Sequence, residues 1–413
     1  MDIIFNEKPA GYNGIIQHAP YFTSNILLVG NGFDVELERK TKFTDFLHYI
    51  QFFLSFKNYE DFESSYKTKL KFLPINQDLK DLFYILVINK KHRKFDRLRK
   101  LFLELVENSW LSTRFSKTNG NFTGEFYNLK TDSQIEYWCD FESVIQYILG
   151  EDLDPLSPFA TLGLDKIADY NALYNYEKWL RIFESTFCDY LKDLDIYDNY
   201  SSGLNDVLNN IRSDYIDSFI SRSRGLLQDI SFNKNEKDFI INYNYTNSIE
   251  KLLDAKGNIL YINGSVYDKN IEKNNYTDNS IVIGCSLSGV ASNSNSLSRR
   301  CNIFDKKTRR IIKNTVPFNF DRIVSASKQH SNFNLIIFGH SCNLADADVI
   351  SFLLKHEKLK AALIFCYSYE DLVSIYNSLS QMLGRDCLNK MLDYSNIPAG
   401  MVSHKIFFGV KKT

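Results

Sequence analysis

Ile26-Leu27-Leu28-Val29-Gly30-Asn31-Gly32-Phe33-Asp34 joins an unbroken apolar run to a glycine turn. Four apolar residues without alternation suit a strand buried on both faces of a parallel sheet. Glycines placed directly after it let the backbone approach a phosphate, and the next helix would offer it free N–H groups. The full G-x-G-x-x-G pattern is absent, because Val35 holds its last position. By itself the turn therefore fits a tight strand-to-helix connection as well as a ligand site.

The same pattern returns after residue 238. Asp238 to Asn244 reads as a strand ending in Asn and Tyr, followed by a helix through Ile249, Leu252 and Leu253. Ile259 to Ile262 is a strand ending at Asn263-Gly264, and Ile281 to Ile283 is another ending at Gly284-Cys285-Ser286. Asn334 to Phe338 ends at Gly339-His340-Ser341, and Lys360 to Phe365 precedes a helix from Tyr369 to Leu383. Ser403 to Phe408 closes the chain. Strands alternating with helices predict a parallel sheet with right-handed crossovers and helices on both faces. In such open α/β sheets ligands lie at the carboxyl ends of the strands, where these Gly and polar residues collect.

Between the two groups of strands the chain reads as helical. Helical spacing of apolar residues recurs at 84–87, 98–105, 138–149, 176–191 and 215–230, with breaks at Gly120, Gly124, Gly150, Pro155 and Pro158. The expected organisation is a leader over 1–24 and a Rossmann-like core over 25–48 and 231–413. A helical insertion over 49–230 interrupts that core.

The net charge of −1 supplies no global field toward nucleic acid or an anionic membrane. Seven scattered cysteines, an odd count with no C-x-x-C pair, argue against a disulfide framework or zinc site and favour a reducing cytoplasm. The N-terminus lacks a basic segment followed by an apolar stretch, and no run approaches the roughly 20 apolar residues of a membrane span. Aromatic content of 15% is high, and with many Asn and Lys residues it fits a compositional bias rather than a stacking function. The basic segments 89–100 and 306–313 leave a nucleic-acid effector as a third reading, against the neutral charge and the lack of a metal-ligand pattern.

Three constellations could carry chemistry. Gly30, Asn31, Gly32, Phe33 and Asp34 form the first. Asn244, Tyr245 and Thr246 form the second, where the Asn244 carboxamide can donate and accept at once, toward a ribose hydroxyl or a water. Capping of the next helix is an equally ordinary role for Asn244. Gly339, His340 and Ser341, followed by Asp346 and Asp348, form the third. His340 has the chemistry of an acid or base, with either Asp orienting it or binding ribose. A structural His, and acidic residues favouring a helix N-terminus, explain the same letters. Asp140 and Glu142 stand two apart on a helix and share no face.

Taken in order, these motifs resemble the AbiH family of bacterial phage abortive-infection proteins. The resemblance covers residues 25 to about 410 and includes Thr44-Asp45-Phe46-Leu47 and Trp138 to Glu142. More distantly, Gly-x-Gly, then Asn-Tyr with Glu250 six residues after the Asn, then Gly-x-Ser with a later Asp, is similar to sirtuin-like antiphage NAD hydrolase domains. That likeness implies a Rossmann-type sheet that binds NAD without a metal and cleaves its nicotinamide–ribose bond. Asn244, Asn263 and His340 would then be catalytic. Gly30, Asn31, Gly32, Phe33, Asp34, Tyr245, Thr246, Gly264, Gly284, Gly339, Ser341, Asp346 and Asp348 would be ligand-binding. The expected partners are this nucleotide, a phage-derived trigger and further copies of the chain. One departure stands out: where the sirtuin-like pattern has His-Gly, this chain has Asn263-Gly264. Asn takes up no proton near neutral pH. Either His340 substitutes, or the chain binds without turnover, or Asn263 replaces an original His.

Overall fold

Ile26, Leu27, Leu28 and Val29 are at most 3% exposed, and in the computed structural model they lie in the middle of a six-stranded, all-parallel sheet. The structure describes residues 23–46, 56–70, 239–253, 259–266, 281–286, 304–313, 332–392 and 405–411, with shorter stretches between them. Strand β1 (Thr23–Val29) begins two residues before the expected start of the core and leads into helix α1 (Asn31–Glu36). Helix α2 (Tyr59–Leu70) follows, then β2 (Ser116–Thr118), β3 (Asn121–Thr123), β4 (Tyr127–Asn128) and β5 (Ser133–Gln134). The sheet resumes with β6 (Phe239–Asn242), α3 (Ser248–Leu253), β7 (Ile259–Tyr261), α4 (Lys306–Ile312) and β8 (Asn332–Phe338). It ends with α5 (Ala347–Lys355), β9 (Leu359–Cys366), α6 (Tyr369–Leu383), α7 (Arg385–Leu392) and β10 (Lys405–Val410).

The spatial order is β7-β6-β1-β8-β9-β10. Numbered along the chain, these strands run 3-2-1-4-5-6, the order of a doubly wound nucleotide-binding sheet. The α/β, Rossmann-like expectation therefore holds. Because the chain leaves β1 toward one edge and later builds β8 on the other side, the topological switch point lies between β1 and β8.

Both faces of the sheet are covered, which is why its strands carry no polar alternation. Leu27 and Val29 pack on one face with Phe33, Ile240, Ile249 and Leu252, under α1 and α3. Ile26 and Leu28 pack on the other with Ile241, Leu335, Ile337, Val349, Leu353 and Leu379, under α5 and α6. Burying each such aliphatic side chain stabilises the fold by about 2 kcal/mol before conformational entropy is charged. Helix α6 is started by a capping box in which Ser368 and Asp371 satisfy each other's backbone N–H groups.

Two expectations are revised. Ile281 to Ile283 is buried but joins no ladder. Its backbone is satisfied instead by loop and side-chain groups: Val282 N–H donates to Asn263 O, and Ile283 N–H to Glu184 Oε1, both at 2.8 Å. The segment between β1 and β6 also holds two antiparallel ribbons, β2–β3 and β4–β5, where only helices were expected. Its described residues within 180–194 are helical, as is Glu142. The expected helices at 84–87, 98–105 and 215–230, and the leader up to residue 22, lie outside the described residues. The aromatic richness does build core: the rings of Phe46, Phe183, Phe187 and Tyr190 pack within 5.1–6.2 Å in the pairs Phe46–Phe183, Phe46–Phe187, Phe46–Tyr190 and Phe187–Tyr190. Among the described residues, no helix is long and apolar enough to cross a membrane.

Candidate functional site

The turns after β1, β6 and β8 meet at the switch point. Gly30 N–H donates to Phe338 O (3.0 Å), Gly32 N–H to Gly339 O (2.8 Å) and Phe33 N–H to Gly30 O (2.9 Å). A Cβ on Gly30 would lie 2.5 Å from Gly339 O, and one on Gly339 would lie 2.3 Å from the Phe33 nitrogen. Gly339 also has φ +65°, so glycine is required there for both space and conformation. These glycines serve the approach of one protein backbone to another. Tyr243 N–H joins the turns by donating to Val29 O (2.9 Å), and its ring centroid lies 4.3 Å from that of His340.

His340 is buried. Its Nδ1 accepts from Cys342 N–H at 3.0 Å, which leaves the proton of a neutral ring on Nε2, 3.2 Å from Asp346 Oδ2. Asp346 also takes ion pairs from Lys306 Nζ (3.1 Å) and from Arg310 Nη2. Arg310 reaches Asp348 Oδ1 through Nη1 (2.9 Å) and Asn263 Oδ1 through Nη2 (2.8 Å), and its guanidinium lies 5.5 Å from the centre of the Tyr243 ring. Lys306 Nζ donates to Glu142 Oε1 at 2.6 Å. Beside this group, Glu184 accepts from Arg309 Nη2 and Lys313 Nζ, both at 2.7 Å.

Lys306, Arg309, Arg310 and Lys313 stand at i, i+3, i+4 and i+7, on one helix face, which α4 turns inward. Its apolar Ile311 and Ile312 face out, at 47% and 69% exposure. The reading of 306–313 as a nucleic-acid surface is thereby corrected, since its inward cations are paired with internal carboxylates.

Burial alone would raise the Asp346 carboxyl, but Lys306 and Arg310 outweigh it and hold the group well below the usual carboxylate range. Burial raises Glu142, and its contact with Lys306 does not reverse that. Burial disfavours the charge on Lys306, yet Asp346 and Glu142 together raise its affinity for the proton. Burial keeps the Tyr243 phenol protonated, and its hydroxyl is buried with no hydrogen-bond partner among the described residues.

The expected site residues divide into two groups. His340, Asn263, Asp346, Asp348 and Gly339 come together at the switch point, with Ser341 exposed on its rim. Asn244 adjoins them. It is 6% exposed, and its N–H bonds Asn242 Oδ1 (2.8 Å) while its carboxamide finds no partner among the described residues. It does not cap α3. The other group is engaged in holding the fold. Asp34 accepts from Thr246 Oγ1 (2.7 Å) and Ser248 Oγ (2.6 Å), tying the β1 turn to the β6 turn. Phe33 packs edge-on against Phe338. Tyr245 Oη donates to Val282 O (3.0 Å), Gly264 closes the turn after β7 at φ +77°, and Gly284 packs against Phe304 O. Asn31 is half-buried as the first residue of α1.

Tyr243, Glu142, Glu184, Lys306, Arg309, Arg310 and Lys313 were not foreseen as residues of this site. The i, i+3, i+4, i+7 spacing of the cations was the available signal.

No curated protein and no solved structure matches this chain. A family model described as bacteriophage abortive infection AbiH matches residues 26–367, which run from the middle of β1 to just past β9 and take in every contact of the switch-point cluster. The chain belongs to the AbiH family and has its role in the abortive infection of bacteriophage.

Proposed function

We propose that this abortive-infection protein binds NAD or a related nucleotide at the carboxyl ends of β1, β6 and β8 and cleaves it at the nicotinamide–ribose bond. The observation that carries the reading is the meeting of the three turns at the switch point of a 3-2-1-4-5-6 sheet. Open α/β sheets take nucleotides at such a point. The Asn244 carboxamide, without a partner among the described residues, is suited to a ribose hydroxyl or a water. Nicotinamide is a cationic leaving group, so the C–N bond breaks through an oxocarbenium-like state without a metal or strong acid. Water then adds to the ribose carbon and releases a proton, giving ADP-ribose and nicotinamide. A phage-derived trigger would start the reaction, and loss of NAD would halt the infected cell.

The test is incubation of the pure full-length protein with NAD at micromolar enzyme, with free nicotinamide followed by chromatography. Release by the wild type or by Asn263→His is expected. Absence of release from both ends the hydrolase reading.

One observation favours a second reading, a nucleotide sensor that does not turn over. Both ring nitrogens of His340 and the carbonyl oxygen of Asn263 are already engaged by protein groups, which leaves neither side chain free to contact a substrate. Calorimetric binding of ADP-ribose or NAD without nicotinamide release would select it.

A further inference from the structure

A nucleotide at this switch point needs its diphosphate neutralised, and three N–H donors of the glycine turn are spent. The N–H groups of Gly30, Gly32 and Phe33 bond protein carbonyls, and backbone fills the space a glycine would leave for phosphate. Positive charge must come from side chains, and α4 brings two cations to the cluster. Arg310 is locked, donating to Asn263, Asp346 and Asp348. Lys306 is differently placed. Its two anionic partners are Asp346, which is also held by Arg310 and His340, and Glu142, for which Lys306 is the sole hydrogen-bond donor among the described residues. Glu142 arrives from the segment between β5 and β6, 164 residues away in sequence.

We propose that Lys306 is the phosphate seat of the nucleotide site, and that Glu142 occupies this seat until a diphosphate-bearing nucleotide displaces it. The proposal rests on the nucleotide reading and adds its regulation. A carboxylate on a buried ammonium is the nearest internal mimic of a phosphate oxygen. Burial opposes the Glu142 charge, and among the described residues the pair has no further donor to Glu142, short of the additional hydrogen bonds that make a buried ion pair a net stabiliser. Displacement frees the Glu142 carboxylate from Lys306 at the carboxyl edge of the sheet. Ligand binding and the Glu142–Lys306 contact are then coupled, and each weakens the other.

The experiment is calorimetry on the full-length wild type, Glu142→Gln and the double variant Glu142→Gln/Lys306→Gln, with ADP-ribose as the diphosphate probe and adenosine as the phosphate-free probe. Gln keeps a hydrogen bond to Lys306, and the double variant removes both charges together, so each should melt cooperatively by circular dichroism. With the competing charge gone, Glu142→Gln is expected to bind ADP-ribose about tenfold tighter, with adenosine unchanged and the gain lost in the double variant. If the wild type binds ADP-ribose and Glu142→Gln binds it no tighter, or tightens equally on adenosine, the seat is overturned while the nucleotide reading stands. If no folded variant binds ADP-ribose or NAD, both fall.

Discussion

Arg310 donates to the carbonyl oxygen of Asn263 through Nε at 3.1 Å and Nη2 at 2.8 Å, while Asn263 Nδ2 donates to Tyr243 O at 3.2 Å. One carboxamide thus pins a buried guanidinium from α4 to the turns after β6 and β7. A neutral imidazole offers at most one acceptor and no carbonyl, so Asn263→His should strand part of the Arg310 fork. The expected loss of stability is about 1 to 3 kcal/mol by urea unfolding. An unchanged midpoint would mean that Arg310 does not depend on this oxygen.

The contact between Gly30 and Gly339 makes a sharper prediction. A Cβ on Gly30 meets backbone at 2.5 Å, and one on Gly339 meets backbone at 2.3 Å with φ +65° besides. Backbone cannot swing aside as a side chain can. Gly30→Ala and Gly339→Ala should each cost about 3 kcal/mol or more. Gly384 is the internal control, because its φ is +84° but nothing lies within 4 Å of its absent Cβ. Gly384→Ala should cost only the conformational strain of its φ and ψ, about 1 to 3 kcal/mol. Equal losses at Gly30 and Gly384 would refute the close-packed turn.

The sheet and its glycine turns were legible because they depend on local rules. Ile26 to Val29 is apolar without a break since both faces are covered, and Gly339 is glycine since its φ is positive. Ile281 to Ile283 obeyed the same rule and misled, because burial does not dictate whether a ladder or a side chain such as Glu184 takes the N–H. The partners of Lys306 and Arg310 were illegible for a related reason. The two cations are neutralised by Glu142, Asp346 and Asp348, between 36 and 164 residues distant, too far for a local pattern to pair them.

Asp346 and Glu142 share Lys306 but should respond to acid in opposite directions. Burial favours the neutral form of Asp346, and the cations around it more than reverse this. A carboxyl depressed in the folded state contributes stability that is complete above its unfolded value, about 3.9, and drains away as pH falls below it. Asp346→Asn should therefore be most damaging at neutral pH, by about 3 to 5 kcal/mol, with the gap to wild type narrowing below about pH 4. Glu142 is raised by burial, so keeping it charged costs stability at neutral pH, and protonation relieves that cost as pH falls. Glu142→Gln should compare best with wild type at pH 7 and lose that advantage in acid. Urea midpoints across this pH range give both curves, and parallel curves would contradict the opposite signs.

Asp34 links the β1 and β6 turns by accepting from Thr246 Oγ1 and Ser248 Oγ, although its position after the glycine turn suggested a ribose contact. Asp34 is 1% exposed, and both hydroxyls donate to its carboxylate. Asp34→Ala removes the shared acceptor of two hydroxyls, only one of which can turn to the other at 3.1 Å, and opens a small void, an expected loss of about 2 to 4 kcal/mol. Asp34→Asn keeps one oxygen and offers an N–H that a rotating hydroxyl can accept, so it should cost about half as much. Thermal melts of the two variants decide the order. A weakened affinity for ADP-ribose in variants whose melting is unchanged would instead put Asp34 on the ligand. If the tie is structural, the loosened β6 turn also frees Tyr243 from Val29 and disturbs the packing of its ring on His340. Damage would then spread to the switch point through the backbone.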